Sequence, residues 1–320
     1  MSINRIPTPP GWWLEEDIDY LSLTQFLILH VACLLVFVTG VSVIAVITCV
    51  TLYVVRLFGI TAGYHRYFSH RSFQTGRVFQ FVLALLGASA YEKGPLWWAA
   101  HHRSHHLHAD TDADAHSPLT RGFWWSHCGW FLCRRNNAIK VEMVPNLMKY
   151  GELKFLDKYF VLPPLLLAAS VFVFGNVVAR YAPWTNTNGL QMLVWGFFVN
   201  TVLVHHGTFT ATSLAHMFGK RRFRTQDTSR NNLLVALLTL GEGWHNNHHY
   251  YPASERQGFY WWEIDMTHYI LQGLAYLGIV WDLKRPPLRV YATGRTHEVS
   301  RERELAKIVL VVRSRLGSVR

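Results

Sequence analysis

Charge is scarce in this chain. Only 16% of its 320 residues are Asp, Glu, Lys or Arg, against about a quarter in an ordinary soluble domain. Half are hydrophobic and 14% aromatic, which excludes a disordered chain and argues against two soluble domains. Cysteine is scarce too. Of four copies, Cys33 and Cys49 lie in apolar runs, and Cys128 and Cys133 do not form a C-x-x-C pair, so no disulfide framework is expected. There is no dinucleotide-binding glycine fingerprint, repeat or low-complexity tract. Acidic residues are outnumbered 20 to 31 by Lys and Arg, leaving a net charge of +11. That balance suits nucleic acid or an anionic membrane face. The apolar runs select the membrane, and no nucleic-acid partner is expected. What the chain has in excess is histidine, with 18 copies.

The apolar runs predict an all-α integral membrane protein, read as one domain over 1–320. Residues 1–20 have no short apolar core and no small-residue cleavage site, so they do not read as a signal peptide; Trp12 and Trp13 suit an interfacial anchor. Residues 21–58 are too long for one span of about 20 residues. Thr39-Gly40 divides them into spans at about 21–38 and 41–58, with Arg56 expected to snorkel to the interface. Further spans are expected at about 159–180, with Pro163 and Pro164 in its first turn, and at 190–210. The segment 78–90 is apolar but too short to cross. Residues 259–281, carrying Glu263, Asp265 and His268, are expected to lie on the membrane, and 295–320 to form a basic surface helix. Lys and Arg crowd 59–158 and 211–320, while the connections at 39–40 and 181–189 carry neither. The positive-inside rule then places both termini and a cap built from both polar blocks in the cytoplasm.

Three histidine clusters fall in that cap: His65 with His70; His102, His105 and His106; and His245, His248 and His249. The last two share the spacing i, i+3, i+4, which puts three imidazoles on one helix face. His65 and His70 are five apart and converge only if the helix ends, bends or widens. Imidazole is a neutral nitrogen ligand suited to iron, zinc and copper. Eight such residues in three clusters imply two metals. His101, His205 and His206 are placed to hydrogen-bond a ligand imidazole. His30, His108, His116, His127, His268 and His297 read as supporting or surface residues.

These clusters and their surroundings resemble the membrane fatty-acid desaturases, specifically the acyl-CoA delta-9, stearoyl-CoA-like branch. The resembling stretches are GITAGYHRYFSHRSF at 59–73, WWAAHHRSHHLHADTDADAHSP at 97–118, RGFWWSHCGW at 121–130 and GEGWHNNHHYYP at 241–252. The resemblance implies two irons. One would take His65, His70, His102, His106 and His248; the other would take His105, His216, His245 and His249. His216 ends the segment Thr212-Ser-Leu-Ala-His216, where the family has asparagine at the first position. Thr212 would hold a metal-bound water in its stead. Arg134 and Arg135 match a basic pair that faces the CoA head, and Tyr53 and Leu57 match the face that closes the acyl tunnel. Zinc accepts the same ligands and is an expected substitute in overexpressed protein.

The implied reaction is oxygen-dependent desaturation of a saturated acyl chain of about sixteen to eighteen carbons, giving a cis alkene and water. The carrier is CoA, acyl-carrier protein or phospholipid. Electrons would come from a separate b-type cytochrome or ferredoxin. A membrane di-iron alkyl or sterol hydroxylase is the alternative reading, and a histidine-rich metal transporter a remote one, because transporters place ligands near the bilayer midplane.

Overall fold

The structure, a computed structural model, describes residues 16–294. The Trp12–Trp13 pair, His297 and the 295–320 segment lie outside the described residues. Among the described residues, four helices are long and apolar enough to cross a membrane: α1 (Tyr20–Thr39), α2 (Val43–Ser69), a third at Leu162–Tyr181 and a fourth at Gly189–Met217. Between the first and second pairs lie α3 (Arg77–Ser89), α4 (Pro95–His108) and α5 (Gly151–Lys158), so the third and fourth long helices are α6 and α7. Beyond them come α8 (Leu233–Leu238), α9 (His245–Tyr250) and α10 (Met266–Tyr276). A two-residue pairing, β1 (Gln74–Thr75) with antiparallel β2 (Val280–Trp281), joins the two polar blocks.

Local chemistry sets the helix starts. Asp19 caps α1 by accepting from Leu21 N, Ser42 caps α2 from Ala45 N, and Asn188 caps α7 from Gln191 N. Helix α4 has Pro95 in its first turn, and its cap comes from elsewhere: Asp157 Oδ1, on α5, accepts from Leu96 N and Trp97 N at 2.9 Å each. Gly40 ends α1 at φ +68°, a left-handed conformation that favours glycine.

Two helices run past the boundaries expected of them. Helix α2 has 27 residues and α7 has 29, so each is about 40 Å long at about 1.5 Å per residue, while the hydrocarbon core is about 30 Å. The excess of α2 carries His65 and that of α7 carries His216. As the second and fourth of four alternating helices, they deliver both histidines to the same side. Arg56 does not snorkel. It is buried, donating to the Ser89 carbonyl from Nε (3.1 Å) and Nη2 (2.6 Å) and to Asn200 Oδ1; it ties α2 to α3 and α7. In the 259–281 segment Trp261 and Tyr276 are exposed, while Glu263 and Asp265 point inward. Glu263 pairs with Arg222, and Asp265 Oδ1 stands 3.0 Å from Arg66.

Helices α2 and α3 cross at glycine. A Cβ on Gly59 would lie 2.5 Å from Gly87 N, a main-chain atom with no room to move aside. Gly59→Ala is therefore expected to destabilise the protein by about 1–3 kcal/mol, seen as a lower thermal midpoint in detergent by circular dichroism. An unchanged midpoint would show that the crossing is loose.

Candidate metal centre

The segment that carries His65 is a widened helix. Over Gly59–Ser69 the main chain follows π-helical hydrogen bonding, and His70 N donates to His65 O at 3.2 Å. A five-residue repeat returns His70 to the side of His65, and their ring centres stand 5.0 Å apart. Helix α4 brings His102, His105 and His106. Helix α9 is one and a half turns long and is fixed by the two asparagines inside its histidine motif. Asn246 Oδ1 accepts from Arg222 N (2.8 Å) and Phe223 N (2.7 Å). Asn247 Nδ2 donates to Gln257 O and to Glu263 Oε2, both at 2.9 Å.

The structure gathers the nine histidines into two groups. His65, His70, His102, His106 and His248 place one nitrogen each within 4.8 Å of all the others, and so do His105, His216, His245 and His249. In the first group the Nε2 atoms stand close in pairs: His65–His248 at 2.9 Å, His248–His106 at 2.9 Å, His106–His102 at 3.0 Å and His102–His70 at 2.8 Å. Metal–imidazole bonds are about 2.0–2.1 Å. Ligands at right angles would then be about 2.9 Å apart, and tetrahedral ones about 3.3–3.4 Å. The observed edges match right angles, the arrangement of a metal with five or six ligands. In the second group His216 and His245 Nε2 are 3.0 Å apart, and His249 Nε2 is buried without a partner, an orphan that a metal would satisfy. The residues fit two metals.

Their protonation states also fit. Burial first, then neighbouring imidazoles, hold His70, His102, His106, His245 and His248 well below the ordinary histidine range. They are neutral at pH 7, with lone pairs free to bind. Behind the ligands stand carboxylates that sequence reasoning missed. His105 Nδ1 is 3.0 Å from Asp114, His216 Nδ1 is 3.2 Å from Asp110, and His249 Nδ1 is 2.9 Å from Asp227. Glu242 pairs with His65 Nδ1, and Gln257 Nε2 lies 3.2 Å from the same nitrogen. The carboxylates put the proton on Nδ1 and turn Nε2 to the metal. Asp110 and Asp114 follow the second box, one helical turn apart, which was a readable signal; Asp227 had none.

Other expectations need correction. His101 Nδ1 contacts the Trp97 carbonyl (3.1 Å), and His205 Nε2 the Ala90 carbonyl (3.0 Å). His206 bridges His30 and His127, both at 2.9 Å. None of the three meets a ligand imidazole. His116 lies beside Asp114, and His268 pairs with Glu255. Arg134 Nε lies 3.7 Å from Asp17, both exposed, and Arg135 Nη2 is 2.9 Å from Glu16, which also pairs with Arg121.

Two cavities meet at the histidines. The wider is walled by Ser22, Gln25, Phe26, Lys93, Phe131 and Phe160; the narrower runs past His65, His102, His105 and His245 to Leu57 and Ile60. Trp98, His102, Thr208 and Thr212 line both and form the neck. Leu57 is thus in the wall of the narrower cavity, buried, but Tyr53 is not in the wall. Its hydroxyl donates to the Leu238 carbonyl at 2.6 Å, which tethers α2 to α8. Thr212 faces the neck while its hydroxyl donates to Phe209 O at 3.1 Å, so toward the neck it can only accept a hydrogen bond.

If each group holds one metal, His105→Ala or His249→Ala should drop the metal content of purified protein below two per chain by elemental analysis. Two retained metals in both variants would dissolve the second group.

Comparison with known proteins follows the same lines. The profile of the fatty acid desaturase family matches residues 41–283. An acyl-CoA C20 delta-5 desaturase of Anemone leveillei is 38% identical over 242 residues, 74% of this chain and 73% of that one. The sn-1 stearoyl-lipid 9-desaturase of Anabaena variabilis is 37% identical over 273 residues, covering 84% of this chain and 95% of its own. A chloroplastic palmitoyl-monogalactosyldiacylglycerol delta-7 desaturase of Arabidopsis thaliana is 36% identical over 283 residues, 86% of this chain and 72% of that one. With boxes, spacing and profile in register over three quarters of its length, the chain belongs to the fatty acid desaturase family.

Proposed function

We propose that this protein removes one hydrogen from each of two adjacent methylenes of a saturated long-chain acyl group, at the delta-9 position, leaving a cis double bond. The observation that carries this reading is the channel: a narrow passage lined by histidines of both groups. Its balance requires one dioxygen, two electrons and two protons from outside, with two waters released. The delta-9 position rests on the resemblance of the histidine boxes and on the stearoyl-lipid 9-desaturase that the chain matches over nearly its full length; other relatives are named for delta-5 and delta-7.

Acyl methylenes are not acidic, so no side chain in the neck can act as a base on them. Two irons, held by the five- and four-histidine groups, would supply with dioxygen the oxidising power that the protein lacks. The chain's own residues do the rest. Trp98 and Thr208 narrow the neck so that one acyl segment lies against His102 and His65. Leu57 and Ile60 stop the methyl end. Phe26, Phe131, Phe160 and Phe209 wall the wider cavity and exclude water. Thr212 is positioned to accept from a metal-bound water. The Lys and Arg excess of the two polar blocks supports a multi-pass membrane protein with its site on the cytoplasmic side. A separate b-type cytochrome or ferredoxin would deliver the electrons.

The carrier that the mouth favours is a glycerolipid. Acyl-CoA brings several negative charges, and among the residues lining the wider cavity Lys93 is the one Lys or Arg; its Nζ donates to Asn137 Oδ1 at 2.6 Å. Beyond the lining, Arg121 and Arg135 share Glu16, and Arg134 stands by Asp17. One wall of the mouth is Ser22, Gln25, Phe26 and Leu29 of α1, a helix of membrane length.

Two expected outcomes follow. Reconstituted with iron and reductant, the protein should desaturate an ether-linked C18 chain in phospholipid vesicles that contain no acyl-CoA. Product from stearoyl-CoA alone would replace the carrier and keep the reaction; product from neither would remove the reaction. Leu57→Ala should shift products toward longer chains and Leu57→Trp should suppress them. Each methylene is worth about 0.8 kcal/mol of burial, or roughly fourfold in preference, read by gas chromatography of products. An unchanged spectrum in both variants would move the length limit away from Leu57.

A further inference from the structure

The two histidine groups differ in the charge behind them. In the four-histidine group, three of four ligands rest on a carboxylate: His105 on Asp114, His216 on Asp110 and His249 on Asp227. In the five-histidine group Glu242 meets His65, and its other oxygen lies 3.2 Å from the buried Arg66 guanidinium.

The other partners of the three aspartates are neutral donors. Asp110 Oδ2 accepts from Thr228 N and Oγ1 at 2.7 Å each. Asp114 accepts from the main-chain N–H groups of Asp110 (2.9 Å) and His116 (3.2 Å). Asp227 accepts from Ser229 N and Thr225 Oγ1, both at 2.9 Å. Arg221 reaches the Asp227 main-chain carbonyl, not the carboxylate. Each carboxylate thus accepts from neutral donors as well as facing Nδ1 of a ligand histidine.

A carboxylate on Nδ1–H makes the imidazole a stronger donor through Nε2. Negative charge close by in a poorly screened interior favours the more positive oxidation state of a metal. A fifth imidazole adds no negative charge to set against three anions, and the five-histidine group has one carboxylate on a ligand, Glu242, beside an Arg66 that Asp265 also holds.

Resting on the reading that both groups hold iron, we propose that Asp110, Asp114 and Asp227 are positioning residues that keep the four-histidine iron ferric longer than its neighbour, so that the pair is reduced in two one-electron steps, the five-histidine iron first. The first electron converts the diferric pair to a mixed-valent pair; the second completes the diferrous state. Both come from the external electron carrier of the proposed reaction, or from dithionite in a titration.

The test is a dithionite titration of detergent-purified protein loaded with iron-57, followed by Mössbauer and electron paramagnetic resonance spectroscopy. At one electron per chain the wild type should be largely mixed-valent. Asp227→Asn should shrink the mixed-valent fraction severalfold, and Glu242→Gln, which removes the anion behind the other group, should enlarge it. Asp227→Glu keeps the charge and should restore the wild-type fraction; Asp110→Asn repeats the test at another ligand if Asp227→Asn loses iron. Uptake of both electrons in one step by a wild-type protein holding two irons would overturn the proposal, as would unchanged fractions in Asp227→Asn and Asp110→Asn. Fewer than two irons in the wild type would overturn the metal reading and this proposal with it.

Discussion

Nine imidazoles must aim their nitrogens at two points, and the rest of the structure is arranged around that requirement. Lone pairs about 3 Å apart repel unless a cation sits between them, so nothing intrinsic to the histidines brings them together. The surrounding protein holds them instead. Burial keeps His70, His102, His106, His245 and His248 unprotonated, carboxylates face Nδ1 of the other four, and the ends of four helices set their positions. Helices α2 and α7 supply this rigidity by running beyond the length that a bilayer needs, and α4 and α9 are pinned by Asp157, Asn246 and Asn247.

The same arrangement divides labour between metal and protein. An acyl chain would meet no acid or base from the protein. It would meet an apolar passage, a neck beside both histidine groups, and an unequal electrostatic setting on the two sides. Chain length, carrier and order of reduction would then be set by different residues. Leu57 lines the narrower cavity, Ser22 and Gln25 line the wider, and the three aspartates stand behind the four-histidine group.

Much of this was legible in the sequence because it is local. The i, i+3, i+4 spacing of His102, His105 and His106 is a property of one helix turn, and the apolar runs announce the four long helices within a few residues at most ends. The His65–His70 spacing stated its own condition, a widened helix, and the main chain supplies one. What stayed hidden was long-range. Arg56 looked like an interfacial residue because its partners Ser89 and Asn200 lie 33 and 144 positions away. Asp227 has no motif; it meets His249 only through a loop. Arg134 and Arg135 match a basic pair by position, but their neighbours Asp17 and Glu16 are far away in sequence and were not foreseen. His206 was read as a helper of a ligand and instead links His30 to His127. Tyr53 and Leu57 share a helix face by spacing, but neighbouring helix α8 takes the tyrosine hydroxyl and only the leucine reaches the channel.

The central claim is that two irons are held by histidine alone, five to one and four to the other. X-ray absorption at the iron K-edge of the purified, iron-loaded protein tests it most directly. The account predicts imidazole scattering equivalent to four or five histidines per iron, with iron–nitrogen distances typical of more than four ligands. A spectrum requiring carboxylate ligands, or only two or three imidazoles per iron, would contradict it.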